Sequence, residues 1–245
     1  MNATRTLATA QRVLRQLRHD PRTIALLLLI PVLLLVLLYY VFDSDPGAFD
    51  RIGSSLLGIF PMVTMFLVTS IATLRERTSG TLERLLAMPL GKGDLILGYA
   101  LAFGALAAVQ AGVATGVALW FLDLDVAGSP WLLLVVALLN ALLGTALGLF
   151  VSAFAASEFQ AVQFMPAVLF PQILLCGLFA PRDSMQPVLE YASDVLPMSY
   201  SVDGMEQVLR HTDLTGDWVR DALVVAAFAA GLLALGAATL RRRTA

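Results

Sequence analysis

Residues 52–90 read IGSSLLGIFPMVTMFLVTSIATLRERTSGTLERLLAMPL, an uncharged run up to residue 74 followed by a segment with three arginines and two glutamates. A bilayer core of about 30 Å needs about 20 apolar residues of α-helix. The uncharged run is therefore long enough to cross a membrane. A second uncharged run begins at Leu95, so the polar segment is predicted to connect two membrane crossings.

The rest of the chain has the same character. Of its 245 residues, 58% are apolar and only 14% are charged, and the mean hydropathy is +0.81. This composition is typical of a membrane protein. We predict an all-α membrane protein that forms one transmembrane domain over residues 1–245. Its six transmembrane helices are predicted at residues 24–42, 53–74, 95–122, 130–154, 159–180 and 220–240.

The basic residues predict the orientation of the chain. Five precede the first span, four lie between the second and third spans, and three follow the sixth, which makes 12 of the 16 basic residues. Acidic residues predominate in the opposite loops. Because basic loops stay on the cytoplasmic side, both termini are predicted to be cytoplasmic. The chain is then a multi-pass protein of the cell inner membrane.

Residues 1–22 predict an amphipathic helix. On a helical projection, the arginines of this segment occupy the arc opposite an apolar arc that consists of Leu7, Ala10, Val13, Leu14 and Leu17. Such a helix lies on the inner surface of the membrane and contacts lipid. A solvated basic tail is the alternative interpretation.

The sequence lacks the motifs that several classes of function require. The stretch PLGKGD contains a Gly-Lys pair but not the spacing of a phosphate-binding loop, and the sequence has no His-Glu-x-x-His metal motif. Glu158 is predicted at a turn, and no other acid or base falls inside an apolar run. We therefore expect no catalytic, cofactor or metal site and no nucleic-acid partner. Energy for transport would come from another chain.

The polar segment at residues 75–90 predicts a short cytoplasmic helix. Thr78, Ser79 or Gly80 would cap it, and Pro89 would end it. Three of its residues, Leu82, Leu85 and Leu86, share one face. Such a helix offers an apolar surface that a soluble protein can bind. The residues alone are also compatible with a surface helix that has no partner.

This segment resembles the first cytoplasmic loop of the ABC-2 type export permeases, which include the daunorubicin-resistance permeases. The matching positions are Glu76, Arg77, Gly80, Thr81, Leu82, Glu83, Leu85 and Pro89. A second resemblance, over the segment after the fifth span, is carried by Gly177, Pro181, Met185, Pro197, Tyr200 and Arg210. The family usually has proline directly after that methionine, whereas Gln186 intervenes here.

The resemblance implies one half of an exporter. Two permeases, identical or related, would form the pathway, and each would contact a separate ATPase subunit that binds ATP and Mg²⁺. The ATPase contacts would be Glu76, Arg77, Gly80, Thr81, Leu82, Glu83, Arg84, Leu85 and Leu86 in a coupling helix within residues 75–90. Residues 181–218 would form a helical re-entrant segment in the outer leaflet. The resemblance implies export, and the nearly uncharged spans favour an apolar or amphiphilic cargo such as a drug, lipid or glycan-like molecule.

Uncharged polar residues within the spans have two interpretations. They would line a pathway or join helices to one another, and they are Thr64, Thr69, Gln110, Asn140, Gln163 and Gln172. Two Gly-x-x-x-Gly pairs, at residues 112 and 116 and at residues 144 and 148, permit close helix approach. An ion-coupled carrier or channel, and a membrane anchor or assembly subunit that transports nothing, remain alternatives to an exporter.

Overall fold

A computed structural model of the chain describes residues 2–87 and 91–239, without the side chains of Glu83 and Leu86. This part of the chain is helical and contains no strand. Its α-helices are α1 (Ala3–Arg18), α2 (Pro21–Val41), α3 (Pro46–Thr78), α4 (Thr81–Ala87), α5 (Lys92–Phe121), α6 (Pro130–Ser152), α7 (Glu158–Leu175), α8 (Pro187–Asp194), α9 (Pro197–Arg210) and α10 (Gly216–Thr239), and a 3-10 turn covers Arg182–Ser184. The predicted helix stop at Pro89, the basic residues 241–243 and the end of the sixth span at residue 240 lie outside the described residues.

Five of these helices are long and apolar enough to cross a membrane: α2, α3, α5, α6 and α10. The predicted all-α class is confirmed. The predicted span at 159–180 coincides with α7, which has only 18 residues, includes Pro166 and Pro171, and is not among the five. The count of six spans stays a prediction.

Proline and aspartate set the starts of α2 and α3. Asp20 and Asp45 precede Pro21 and Pro46, the first residues of these helices. Each aspartate accepts a hydrogen bond from a backbone N–H of the first turn, at 3.2 Å from Thr23 and 3.1 Å from Ala48. Because proline has no N–H to lose and aspartate satisfies a donor, these pairs start helices sharply.

The core centres on α6, which packs against α3, α5, α9 and α10. Its contact with α3 depends on two glycines. A Cβ built on Gly144 would lie 2.2 Å from the carbonyl oxygen of Met62, and one on Gly148 would lie 2.6 Å from that of Phe66. The two backbones therefore touch at two points about one turn apart, as the spacing of these glycines predicts. The other pair does not pack in this way, because Gly112 has no atom within 4 Å of a built Cβ and Gly116 has only Trp120 of its own helix.

The bundle has two distinct ends. At the first, which we call the α4 end, the last turn of α3 meets α1, α6 and α7. At the opposite end, which we call the α9 end, the connection from α5 to α6 bonds to the end of α9 through Gly128 N–H and the carbonyl of Val208, at 2.9 Å. The helices alternate between these ends, as successive membrane crossings do.

The start of α10 corrects one expectation from the sequence. The helix begins at Gly216, so Asp221 lies in its second turn with only 1% of its surface exposed. The expectation that no acid or base other than Glu158 falls inside a span was therefore wrong for α10. Arg220 donates to the Asp221 carboxylate at 2.9 Å, which compensates the charge of the neighbouring side chain.

Candidate functional site

The chain reverses between α3 and α4 at Gly80. This residue has a φ of +72°, in the left-handed region that glycine adopts without strain. The built Cβ of Gly80 meets nothing within 4 Å, so backbone conformation and not space favours glycine here. The hydroxyls of Ser79 and Thr81 lie 3.0 Å apart across the turn.

The apolar residues of α4 pack inside the chain. Leu82 and Leu85 are 5% and 8% exposed, and they share a cluster with Val13 of α1 and Leu95 of α5. In this structure they hold α4 on the bundle and are not available to a partner. Arg84 is exposed. The side chains of Glu83 and Leu86, which the sequence also assigns to the ATPase contact, lie outside the described part of the chain.

Glu76 joins three helices in a buried polar cluster. Arg12 of α1 donates to its two carboxylate oxygens at 2.7 and 3.3 Å. Arg12 also donates to the hydroxyl of Tyr99 in α5 at 3.2 Å, and that hydroxyl donates to Glu76. Glu76 is 9% exposed and Tyr99 is 1% exposed. A bidentate ion pair with a further hydrogen bond is strong and directional, so α1, α3 and α5 are connected at this point.

Two more arginines connect the end of α3 to its neighbours. Arg77 donates to the backbone carbonyl of Ser152 at 2.7 Å and to that of Ala155, which satisfies acceptors at the end of α6. Arg75 makes a bidentate ion pair with Glu158 of α7 at 2.7 and 3.0 Å. The segment before Gly80 is thus joined to α1, α5, α6 and α7.

The amphipathic helix α1 packs on α5 through a face that matches the predicted apolar arc in part: Ala10 and Val13 are buried, and so are Thr6 and Thr9, which the prediction did not assign to it. Thr6 and Thr9 contact α5 at Gly98, where a built Cβ would lie 2.5 Å from the Cβ of Thr9. Leu7, assigned to the apolar face, is 61% exposed. The threonine hydroxyls bond to carbonyls of their own helix, so this face buries few unpaired polar groups. The helix therefore presents Leu7 and Leu14 outward and a face of mostly small residues to the protein.

Three of the six polar residues of the spans form hydrogen bonds between helices. Thr64 of α3 donates to Gln110 of α5 at 2.8 Å, and Ser201 of α9 donates to Asn140 of α6. Gln172 donates to the carbonyl of Val168 in its own helix at 3.0 Å.

Thr69 is buried and its hydroxyl has no partner among the described residues. Gln163 is exposed. That these six residues line a pathway stays a prediction, and in this conformation five of them lie within the bundle.

Sequence reasoning missed Arg12 and Tyr99 as members of the α4-end cluster. Arg12 was assigned to a polar face toward water, and Tyr99 lay inside an apolar run. A segregated arginine face identifies a surface helix, but it does not identify which arginine meets a carboxylate from a segment 64 residues away. No local signal in one sequence distinguishes Arg12 from its neighbours.

The sequence is similar to those of known membrane transport proteins. Residues 4–209 match the ABC-2 type transporter family. The chain is 27% identical to the probable multidrug ABC transporter permease YbhR of Escherichia coli over 154 residues, which are 63% of this chain and 42% of that protein. It is 25% identical to the linearmycin resistance permease protein LnrN of Bacillus subtilis over 200 residues, 80% of this chain and 51% of that protein.

The matched regions thus span about half the length of these curated relatives or less. The family match covers most of this chain, from α1 to the last turn of α9. It includes the α4 end, α7 and four of the five long apolar helices, all but α10. The chain is a multi-pass membrane protein that belongs to the ABC-2 type transporter family.

Proposed function

We propose that the chain is the permease subunit of an ATP-driven exporter. The observation that carries this proposal is the construction of the α4 end. A two-turn helix with an exposed arginine sits on the base of the bundle, and its buried leucines pack against α1 and α5. A force applied to α4 from outside would therefore act on several spans at once.

The proposal includes an orientation. The α4 end faces the cytoplasm, because it holds most of the basic residues. In this arrangement α7 is the fifth of six spans and α10 is the sixth. Both termini are cytoplasmic, and α8 and α9 form the re-entrant segment in the outer leaflet of the inner membrane. The exposed leucines of α1 then meet the lipid head-group region.

The partners follow from the lack of a phosphate-binding loop in the sequence. ATP and Mg²⁺ bind to a separate ATPase subunit, two of which act with two permeases, either two copies of this chain or this chain and a related one. The exposed side of α4 around Arg84 makes the first contact with the ATPase. Four other residues of this segment do not contact the ATPase in this arrangement but fix α4 and the end of α3 to the spans: Glu76, Arg77, Leu82 and Leu85.

The cargo is an amphiphilic or apolar molecule. The printed names of two relatives refer to multidrug transport and to linearmycin resistance, which supports a drug-like or lipid-like cargo for this chain as well. Uncharged polar groups such as Thr64 and Gln110 occupy the middle of the bundle. A strongly charged solute would find few partners there.

Purification from native membranes tests this proposal. We expect the tagged chain, extracted in mild detergent, to carry vanadate-sensitive hydrolysis of Mg-ATP and a mass that corresponds to two permeases and two ATPase subunits. Arg84→Glu should abolish the copurified hydrolysis because it reverses the exposed charge of α4. Arg22→Glu, at another exposed arginine of the same end, is the matched control and should retain it. A preparation that moves ions without any copurified ATP hydrolysis would instead support a carrier or channel.

A further inference from the structure

A cavity of about 360 Å³ opens at the α9 end, far from the cluster around Glu76. Its walls come from the start of α3, the connection after α7, and α9. Leu178, Phe179 and Val202 supply apolar surface, and three arginines and three carboxylates supply charge to the rest of the wall. This size and mixture are typical of a site for part of a small amphiphile.

Hydrogen bonds fix the walls of this cavity. Ser193 donates to the carbonyl of Leu175 at 2.8 Å, and Tyr200 donates to that of Asp194 at 2.7 Å. Gly177, with a φ of +95°, turns the chain back from α7, and a built Cβ there would lie 3.5 Å from Arg182. Because backbone and side chains are held in this way, the cavity is formed before any ligand arrives.

Two of the three cavity arginines already have carboxylate partners. Arg182 pairs with Asp194 and Asp203, and Arg210 pairs with Glu206 in the next turn of α9. These ion pairs compensate the charges of α9 and of the connection that precedes it. They leave the start of α3 as the part of the wall with an unmatched cation.

That cation is Arg51. Its carbonyl accepts from Ser54 and Ser55, but within residues 2–87 and 91–239 its guanidinium has neither an ion pair nor a hydrogen bond. A second donor is also unmatched, because the buried Nε–H of Arg182 meets no acceptor in the described structure. Arg51 is exposed, so its guanidinium is open to solvent and to a ligand. Buried donors are nearly always paired in proteins, which leaves the Nε–H of Arg182 as a donor for a ligand to pair.

We propose that the cavity binds the anionic head of an amphiphile, a phosphate or carboxylate attached to an apolar chain. The guanidinium of Arg51 binds the anion, with its planar set of donors suited to two oxygens, and Arg182 adds a hydrogen bond. The apolar chain lies along Leu178 and Phe179. This site is distinct from the proposed ATPase contact and operates without it.

The carboxylate of Asp183 opposes the binding of an anion in this cavity. It is the one cavity carboxylate that pairs with no cation in the described part of the chain, and it is exposed in the 3-10 turn. Its charge opposes that of Arg51 at the rim. Removal of the Arg51 charge should therefore weaken anion binding, and removal of the Asp183 charge should strengthen it.

Binding of decyl phosphate to the purified chain tests this site. The titration would be performed by calorimetry in neutral maltoside micelles. We expect saturable binding that Arg51→Gln weakens by about tenfold or more, because a charge-assisted hydrogen bond is lost. Arg51→Lys should retain most of the affinity, Asp183→Asn should increase it, and Arg22→Gln at the α4 end should leave it unchanged. Arg51 has no partner to lose, so its variants should unfold at the wild-type temperature.

Three results would overturn the assignment. Equal binding to wild type and Arg51→Gln would exclude Arg51 as the anion ligand. Decyltrimethylammonium binding as tightly as decyl phosphate would exclude selectivity for anions. Competition by inorganic phosphate at the same concentration as decyl phosphate would identify a site for a free anion and not for an amphiphile. Each measurement is independent of ATP hydrolysis, so failure of the exporter proposal would leave it interpretable.

Discussion

Glu76 illustrates how one carboxylate at the end of a span depends on its partners. Its side chain is 11% exposed and that of Arg12 is 27% exposed, so each loses much of its hydration. The guanidinium and the hydroxyl of Tyr99 replace the lost water. A charge left alone in such a place is far more costly than the pair is stabilising.

We therefore expect Glu76→Gln to lower the free energy of unfolding by about 2 kcal/mol, less than the loss for a fully buried pair because Arg12 keeps some contact with solvent. Thermal unfolding in detergent measures the change, and faster proteolysis within α1 would show where it acts. Glu158→Gln is the matched control, since its pair with Arg75 is largely exposed and should contribute under about 1 kcal/mol. Equal effects of the two substitutions would refute the role of Glu76 in holding α1.

At Asp203, at the α9 end, the cost of burying a carboxylate exceeds the attraction of its arginine partner. Burial raises its pKa from 3.8 to about 6, even though Arg182 pairs with it and lowers the value. Desolvation thus outweighs attraction at this carboxylate. Because the folded protein holds the proton more tightly than the unfolded chain, ionisation of Asp203 lowers stability as the pH rises from about 4 to about 6, and the loss is complete above that range.

Asp203→Asn removes this titration. The melting temperature of the variant minus that of the wild type should increase between pH 4 and pH 6 and become constant above about pH 7. The experiment is a pair of thermal unfolding series in one detergent. A difference that falls as the pH rises would mean that attraction to Arg182 exceeds the cost of burial.

Among the helices, the two glycine pairs show what a sequence pattern leaves undecided. Both have the same spacing, and both occur in long apolar helices. The pair in α6 meets the backbone of α3, whereas the pair in α5 faces away from any neighbour. Spacing predicts that a helix has a face without side chains, but the partner for that face depends on tertiary packing.

Substitution by alanine should separate the two pairs. Gly144→Ala would place a Cβ 2.2 Å from the carbonyl oxygen of Met62, so the helices must separate, with a loss of about 1–3 kcal/mol typical of overpacking. Gly112→Ala meets no atom and should be neutral or stabilising, because alanine favours a helix over glycine by about 1 kcal/mol. Melting temperatures in detergent give the comparison. Destabilisation by Gly112→Ala as large as that by Gly144→Ala would contradict this packing.

For α1, the sequence predicted the helix but not all of the face that packs on the protein. Its arginine distribution predicted an amphipathic surface helix, and the structure forms a helix at Ala3–Arg18. The face that contacts α5 nevertheless consists of Thr6, Thr9, Ala10 and Val13, because Gly98 leaves room only for small side chains. An apolar arc on a helical projection predicts burial or lipid contact, and periodicity alone does not distinguish them.

At the scale of the whole molecule, the uncharged runs predicted most of the architecture because the bilayer demands long apolar helices. The contacts at the α4 end were harder to predict from the sequence, because Arg12, Glu76 and Tyr99 come from three separate segments. The short polar helix was predicted from capping and spacing, yet its leucines face the chain's own core. These differences move the proposed partner contact from the leucine face to the exposed side around Arg84.

Cross-linking from α4 tests whether an ATP-binding subunit docks on this helix. Cysteine would be introduced as Arg84→Cys in a Cys176→Ser background, since Cys176 is the native cysteine and is buried. Val188→Cys, on an exposed position of α8, is the control at the opposite end. Native membranes would be treated with a thiol-directed photo-cross-linker and then labelled with azido-ATP. We predict an ATP-labelled adduct from position 84 and none from position 188. No ATP-labelled adduct from position 84, or equal adducts from both positions, would contradict the claim.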